Sequence, residues 1–361
     1  MWRHALNDER RRTPFLALDH ERLVANIGDM ATRVKSYGGR STPHQKTHKC
    51  AEIGRLQREM GAERATVATP AEAELAFEAG FASVLVAYPP VPRSRADDLV
   101  GLLTLGEVAV ACSTPEQVQA LNETGAPFEI YWEIDSGTGR LGTQPGPATA
   151  AVVSATKFTA RTPLRGLMTF AGHAYAATTD EELQATGRQQ DAALADSVAA
   201  LASSDFDTFA LSVGVTPLAR FESGTASEYR YGNYVFYDAT QVALGGPRLN
   251  DCALAVVATV IDAPSETRIV IDAGAKSLPA EQMTSATNGY GVVLDHPEVT
   301  VAKLYEEHGL CTSNAPHGLR AGDRVAVIPN HACTAVNLYA EYSVFDASGR
   351  SDTWRILGRR R

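Results

Sequence analysis

Positive charge is in deficit: 33 lysines and arginines stand against 42 aspartates and glutamates, a net charge of −9 over 361 residues. A polyanionic backbone selects basic surfaces, so this balance argues against nucleic acid as a partner. Long apolar runs are missing too. The run Ala253–Ile261 falls far short of the ~20 residues that span a bilayer. No basic segment backed by an apolar core opens the chain, as a secretory leader would. The polar, basic Met1–Arg12 passes directly into TPFLALD. These absences point to a soluble, cytoplasmic protein with no membrane partner. Cysteine is sparse. Cys50, Cys112, Cys252, Cys311 and Cys333 are scattered, odd in number and never spaced CxxC, which argues against a disulfide framework and a structural zinc module. Most of them read as small buried hydrophobes, with Cys333 the exception. No GxGxxG follows the first strand, which weakens a Rossmann reading. What is left, 44% hydrophobic and 21% charged residues, is a globular composition and excludes disorder.

From Thr13 to about Thr240 short apolar runs alternate with helical stretches. TPFLALD reads as a strand, and Leu23, Ile27, Met30 and Val34 then recur at spacings of four, three and four, one stripe of an amphipathic helix. A short strand runs into Pro43, and ATVAT, SVLVAYP, GEVAVAC, FEIYWEID, LRGLMTF and DTFALSV follow. Pro70 opens the helix PAEAELAFEAG at the first-turn position that tolerates it. About eight such units predict an α/β fold with a (β/α)8 TIM-type barrel over 13–241, an open doubly wound sheet being the alternative. After Gly245-Gly246-Pro247 the runs become β-branched, divided by Gly, Asp, Asn and Pro. A C-terminal β-rich domain over 246–361 is expected, with 1–12 packed on it. Arg359-Arg360-Arg361 reads as a solvated end.

Reactive groups in such barrels sit at the C-terminal ends of strands, and four strand ends here carry unusual polar residues. In Pro43-His44-Gln45-Lys46-Thr47-His48-Lys49, alternation puts His44, Lys46 and His48 on one side if the strand persists. A desolvated lysine amine can lose its proton and form a Schiff base; a solvated basic loop is the bland alternative. In Glu133-Ile134-Asp135-Ser136-Gly137-Thr138-Gly139-Arg140 a guanidinium could bond a phenolate or carboxylate, or pair structurally with Asp135. His173 in Ala171-Gly172-His173-Ala174-Tyr175 is either a general acid–base, histidine titrating near operating pH, or a satisfied core imidazole. Ser212-Val213-Gly214-Val215-Thr216-Pro217 offers small residues and backbone N–H groups ahead of a helix, where barrels often bind phosphate. In the β-rich part, Asn330-His331-Ala332-Cys333 has the i, i+2 spacing that puts an imidazole and a thiolate on one face of a strand. Two ligands leave positions open for water or substrate, as a catalytic metal needs.

Taken together these segments resemble the D-threonine aldolase/D-serine dehydratase family, pyridoxal-phosphate (PLP) enzymes of the alanine-racemase-like fold. PHxKTHK, VATPAEAELAFEAG, EIDSGTGRLG, GHAY, GNYVFYD, DAGAKSL, EEHG and PNHAC occur in the family's order over nearly the whole chain. The resemblance implies that Lys46 carries PLP and that Arg140 contacts its ring side. It implies that Ser212, Gly214, Thr216 and Tyr234 surround the phosphate. His331 and Cys333 would bind a divalent cation beside the substrate's β-hydroxyl, with His173 and Tyr175 near the substrate. Tyr231 stands where relatives often have Pro, and SVGVT is poorer in glycine than the usual phosphate loop.

The implied activity is that of a lyase on a small D-β-hydroxy-α-amino acid. Dehydration, to a keto acid and ammonia, and retro-aldol cleavage, to glycine and an aldehyde, need the same cation–hydroxyl contact. Cys333, where family aldolases often carry Asp, leans the reading toward dehydration. Its thiolate favours zinc over manganese or magnesium. A racemase is the nearest rival, but THKC does not match the loop of that class. A non-catalytic PLP-binding protein would leave the β-rich domain without a purpose. The resemblance also implies a homodimer.

Overall fold

The computed structural model describes residues 2–202, 210–281 and 287–358. The triple-arginine end and residues 207–209 of DTFALSV lie outside the described residues. The chain forms two compact units: Asp29–Ala174, Thr179–Gly232 and Leu357–Arg361 in one, and Met1–Gly28, Tyr175–Thr178 and Asn233–Ile356 in the other.

The first unit is the parallel barrel. Its strands are Arg40–Ser41, Ala65–Val67, Ser83–Val86, Glu107–Cys112, Glu129–Ile134, Leu164–Thr169, Ala210–Val213 and Glu228–Tyr229. Consecutive strands pair in parallel from Ala65–Val67 round to Glu228–Tyr229, which pairs with Arg40–Ser41. Residues 42–44 close the ring. The amides of Thr42 and His44 donate to the carbonyls of Tyr229 and Tyr231, while Pro43 accepts from the amide of Thr66. Apolar side chains including Leu85, Ala109, Ala111 and Met168 fill the barrel with Tyr131. At the N-terminal ends of the strands, Arg64 donates to the Tyr131 hydroxyl at 2.7 Å and to Glu129 at 2.9 Å. Tyr131 in turn donates to Glu228 at 3.1 Å, and Arg40 reaches the same carboxylate at 3.0 Å. This network closes one end of the barrel and leaves chemistry to the other, as the fold class does generally.

One strand is not where its surroundings suggest. TPFLALD, counted as the opening barrel strand, forms Phe15–Asp19 in the second unit, antiparallel to Leu254–Ser265 and parallel to Glu341–Phe345. It is buried along its whole length and runs straight into the helix His20–Ser36, the same local signature as a barrel strand. The eighth barrel strand is Glu228–Tyr229, two residues long and too short to show a period. The count of eight therefore holds with one member exchanged, and the expected 13–241 boundary shifts accordingly.

The second unit holds a sheet of nine strands, counting Phe15–Asp19, antiparallel except where that strand meets Glu341–Phe345. The twelve-residue strand Leu254–Ser265 pairs Arg324–Ile328 along one edge and, on the other, first Phe15–Asp19 and then Arg268–Ile271. Arg268–Ile271 continues through Gly309–Ser313, Val299–Leu304 and Val292–Val293 back to Arg324–Ile328, so six strands close a small barrel. Arg324 donates to the carbonyls of Asp8 and Arg11, tying the N-terminal residues to this unit. Among the described residues no helix is long and apolar enough to cross a membrane.

Candidate active site

The Lys46 loop sits at the C-terminal end of the first barrel strand. The strand does not persist, so the alternation that would have put His44, Lys46 and His48 on one side does not apply. Gln45–Thr47 is instead a 3-10 turn, capped by the His44 imidazole, which accepts from the Lys46 amide at 3.4 Å. Gln57 anchors the loop, accepting from Gln45 at 2.8 Å and from His48 at 3.2 Å. His48 Nδ1 accepts the Cys50 amide, so its Nε2 carries the hydrogen given to Gln57. Burial drives the pKa of His48 down to about 4, and it is a neutral structural residue. Lys46 is half-buried, with Nζ 5.4 Å from the centre of the Phe170 ring. The loop can lie this close because Gly232 has no side chain: a Cβ there would meet Thr47 Oγ1 at 2.7 Å.

Phe170 follows the strand Leu164–Thr169 and is flanked by a second cation, the Arg140 guanidinium, 4.8 Å from its centre. Asp135 accepts the amides of Gly137 and Gly139 at 3.0 Å each and so shapes the turn that delivers Arg140. His173 lies in the 3-10 turn Gly172–Ala176, its Nδ1 3.4 Å from the Thr138 hydroxyl. That hydroxyl gives its one proton to the Phe170 carbonyl at 2.6 Å and accepts the Gly172 amide at 2.9 Å. It can therefore only accept from His173, which places the hydrogen on Nδ1 and a lone pair on Nε2. Nε2 is buried and has no partner among the described residues. A satisfied core imidazole would not look like this.

Ser212 is the penultimate residue of the strand Ala210–Val213 and is fully buried, Gly214 is buried too, and Thr216 begins the turn Thr216–Arg220. The Ser212 hydroxyl accepts from Arg230 at 2.5 Å, and Arg230 also donates to the Thr169 carbonyl at 2.8 Å. Gly214 is required by the same neighbour, since a Cβ there would meet Arg230 backbone atoms at 2.9–3.0 Å. Arg230 is only 5% exposed; burial lowers its pKa to about 10, and Glu133 and Glu228 sustain its charge. Glu133 is buried as well, which raises its carboxyl pKa against the pull of Arg140 and Arg230. Sequence reading missed Arg230 and Phe170. The one available signal was a lone arginine inside the aromatic run EYRYGNYVF.

Tyr175, Tyr234, His331 and Cys333 belong to the second unit. Tyr234 is buried in the turn Asn233–Val235. PNHAC is not a strand: His331 is the N-cap of the helix Ala332–Asn337, and Cys333 lies in its first turn. The turn still brings the two together, with the Cys333 sulfur in hydrogen-bonding reach of the imidazole. Asp238 fixes the helix start, accepting the Ala332 amide at 2.9 Å while it caps Ala239–Ala243 and holds Asn233. His331 Nδ1 lies 2.6 Å from Glu281 Oε1, and Thr334 donates to that same oxygen. Burial opposes charge on His331, but Cys333, Glu281 and Asp238 outweigh it and hold its pKa up to about 11. The Tyr175 ring is 6.5 Å from that of His331, so the structure groups Tyr175 with the cation donors.

These donor sets suit the two groups that the sequence implies. A half-buried amine with an aromatic wall, and a buried orphan nitrogen on His173, suit PLP and a reacting substrate. One imidazole and one sulfur suit a borderline-soft cation, and no third His, Cys, Asp or Glu completes a shell among the described residues. A parallel barrel with this lysine, continued by an antiparallel sheet, defines the class as an alanine-racemase-like PLP enzyme.

Comparison with known proteins narrows the class. The family model "Alanine racemase, N-terminal domain" matches residues 18–239, and "Putative serine dehydratase domain" matches 253–345. The D-threo-3-hydroxyaspartate dehydratase of Delftia sp. (strain HT23) is 31% identical, over 96% of this chain and 97% of its own. The D-threonine aldolase of Arthrobacter sp is 27% identical, over 96% and 92%. A solved variant of D-threo-3-hydroxyaspartate dehydratase in the metal-free form superposes with a TM-score of 0.87 at 28% identity, over 96% and 98% of the two chains. The chain belongs to the D-threonine aldolase/D-serine dehydratase family and is a PLP-dependent lyase.

Proposed function

We propose that the protein removes water and ammonia from a D-β-hydroxy-α-amino acid with the help of a divalent cation, zinc in the first instance. The observation that carries this reading is the His331–Cys333 pair in one helix turn, a donor set for a soft cation with positions left open. When bound, PLP supplies an electron sink for charge released at the substrate's Cα. Lys46 holds the cofactor and moves the Cα proton. Arg140 and Phe170 would orient the ring, and the buried loop 212–216 would receive the phosphate. His331 and Cys333 would hold the cation, which when bound would supply polarisation of the β-hydroxyl, and Tyr175, 6.5 Å from the imidazole ring, would orient it. Loss of the Cα proton and of hydroxide, followed by hydrolysis, leaves a 2-keto acid and ammonia.

His173 favours a second reading. A buried Nε2 lone pair is suited to taking the hydroxyl proton, and its removal cleaves Cα–Cβ to glycine and an aldehyde. Product analysis decides. D-serine, D-threonine and D-threo-3-hydroxyaspartate are each supplied with zinc or manganese. Ammonia with keto acid supports dehydration, glycine with aldehyde supports cleavage, and no product from any of them overturns both.

A further inference from the structure

The His331 ring has a second partner whose role is set by hydrogen-bond chemistry. A neutral imidazole has one N–H and one lone pair, on different nitrogens. An ionised carboxylate only accepts, so the 2.6 Å contact between Nδ1 and Glu281 Oε1 places the hydrogen on Nδ1. A ring held in this way would ligate a cation through Nε2. Glu281 is itself held, because the Thr334 hydroxyl from the first turns of the same helix donates to that oxygen. Thr334 also lies 3.1 Å from the His331 carbonyl, so His331, Thr334 and Glu281 form one small ring of contacts at the helix start. We propose that Glu281 is the positioning residue of the cation site: it fixes the tautomer and rotation of His331 so that Nε2 is presented as a ligand with Cys333. The inference rests on the cation reading above and assigns a role to a residue outside the donor pair. Carboxylates placed behind a ligating imidazole raise its basicity and stop its ring from turning, and their loss typically costs about 10–100-fold in metal affinity.

The test measures zinc affinity of the PLP-loaded enzyme by competition with a chromophoric chelator. Glu281→Ala is expected to weaken zinc binding by about 10–100-fold while the cofactor's visible absorbance stays unchanged. Glu281→Gln is isosteric and keeps an acceptor without the charge, so a smaller but measurable loss is expected. A cobalt-loaded Glu281→Ala enzyme should also show an altered ligand-field spectrum, a signal that a remote structural role would not move. Wild-type affinity in Glu281→Ala, with His331→Ala losing the metal, overturns this proposal alone. Wild-type affinity in His331→Ala overturns the cation reading and this proposal with it. If Glu281→Ala does not fold, wild-type affinity in Glu281→Gln overturns the proposal.

Discussion

At the residue scale, chemistry depends on which polar atoms are left without partners and which are committed. Lys46 faces an aromatic ring, so Lys46→Ala should abolish the visible absorbance of bound PLP without unfolding the chain, read by spectrum and circular dichroism together. His173 and Thr138 form a graded pair. In the cleavage reading, His173→Ala should cost about 10²–10⁴-fold in kcat, the usual worth of a general base. Thr138→Val removes the acceptor that holds the hydrogen on Nδ1, together with the bonds to the Phe170 carbonyl and the Gly172 amide, and should cost a smaller part of that, largely restored in Thr138→Ser. An equal loss in the valine and serine variants would count against tautomer control. Lys46, His331 and Cys333 were legible because chemically marked residues sit in short marked segments. Arg230, Phe170 and Glu281 were not. An arginine in an aromatic run, a phenylalanine after an apolar run and a glutamate after a proline-alanine pair look ordinary until the fold gives them neighbours.

At the element scale, the site is delivered by short turns at strand ends, and each turn relies on close packing. Gly232 is the clearest case. A Cβ there would press on Thr47 Oγ1 at 2.7 Å and the His44 carbonyl at 3.1 Å, within the loop that carries Lys46. Gly232→Ala should therefore destabilise the protein by about 1–3 kcal/mol. The melting temperature should fall by several degrees, and PLP should dissociate more readily; an unchanged melting curve would refute the packing argument. The exchange of Phe15–Asp19 for Glu228–Tyr229 belongs to this scale as well. A buried apolar strand followed by an amphipathic helix is locally the same object in a parallel barrel and in this sheet. Its partners, Val257 and Ser343 among them, are more than two hundred residues away and leave no local trace.

At the scale of the molecule, burial couples stability to pH through Glu222. Burial pushes its carboxyl up to about 7, against a hydrogen bond from the Tyr231 hydroxyl. The folded state thus holds this proton more tightly than the unfolded chain, whose Glu titrates near about 4.3. The stabilisation is fully present below that lower value and is lost as pH rises through about 7. Glu222→Gln should flatten the melting temperature over this window, and an unchanged slope would exclude Glu222 as its source. Chelation should suppress turnover and leave the cofactor absorbance in place; turnover unaffected by EDTA would remove the cation from the reaction. We propose a homodimer in the cytoplasm, and sedimentation at assay concentration tests the assembly. Local composition by itself determined that this chain alternates strand and helix and then turns β-rich, and where its amine, imidazole and thiol lie. Those properties depend on side-chain periodicity and residue type, which need no partner. Only the tertiary structure decided which eight strands close the barrel, that His331 and Cys333 meet across a helix turn, and that Glu281 stands behind the imidazole. Pairing and burial are set by segments distant in sequence, and their cost or gain exists only once those segments have met.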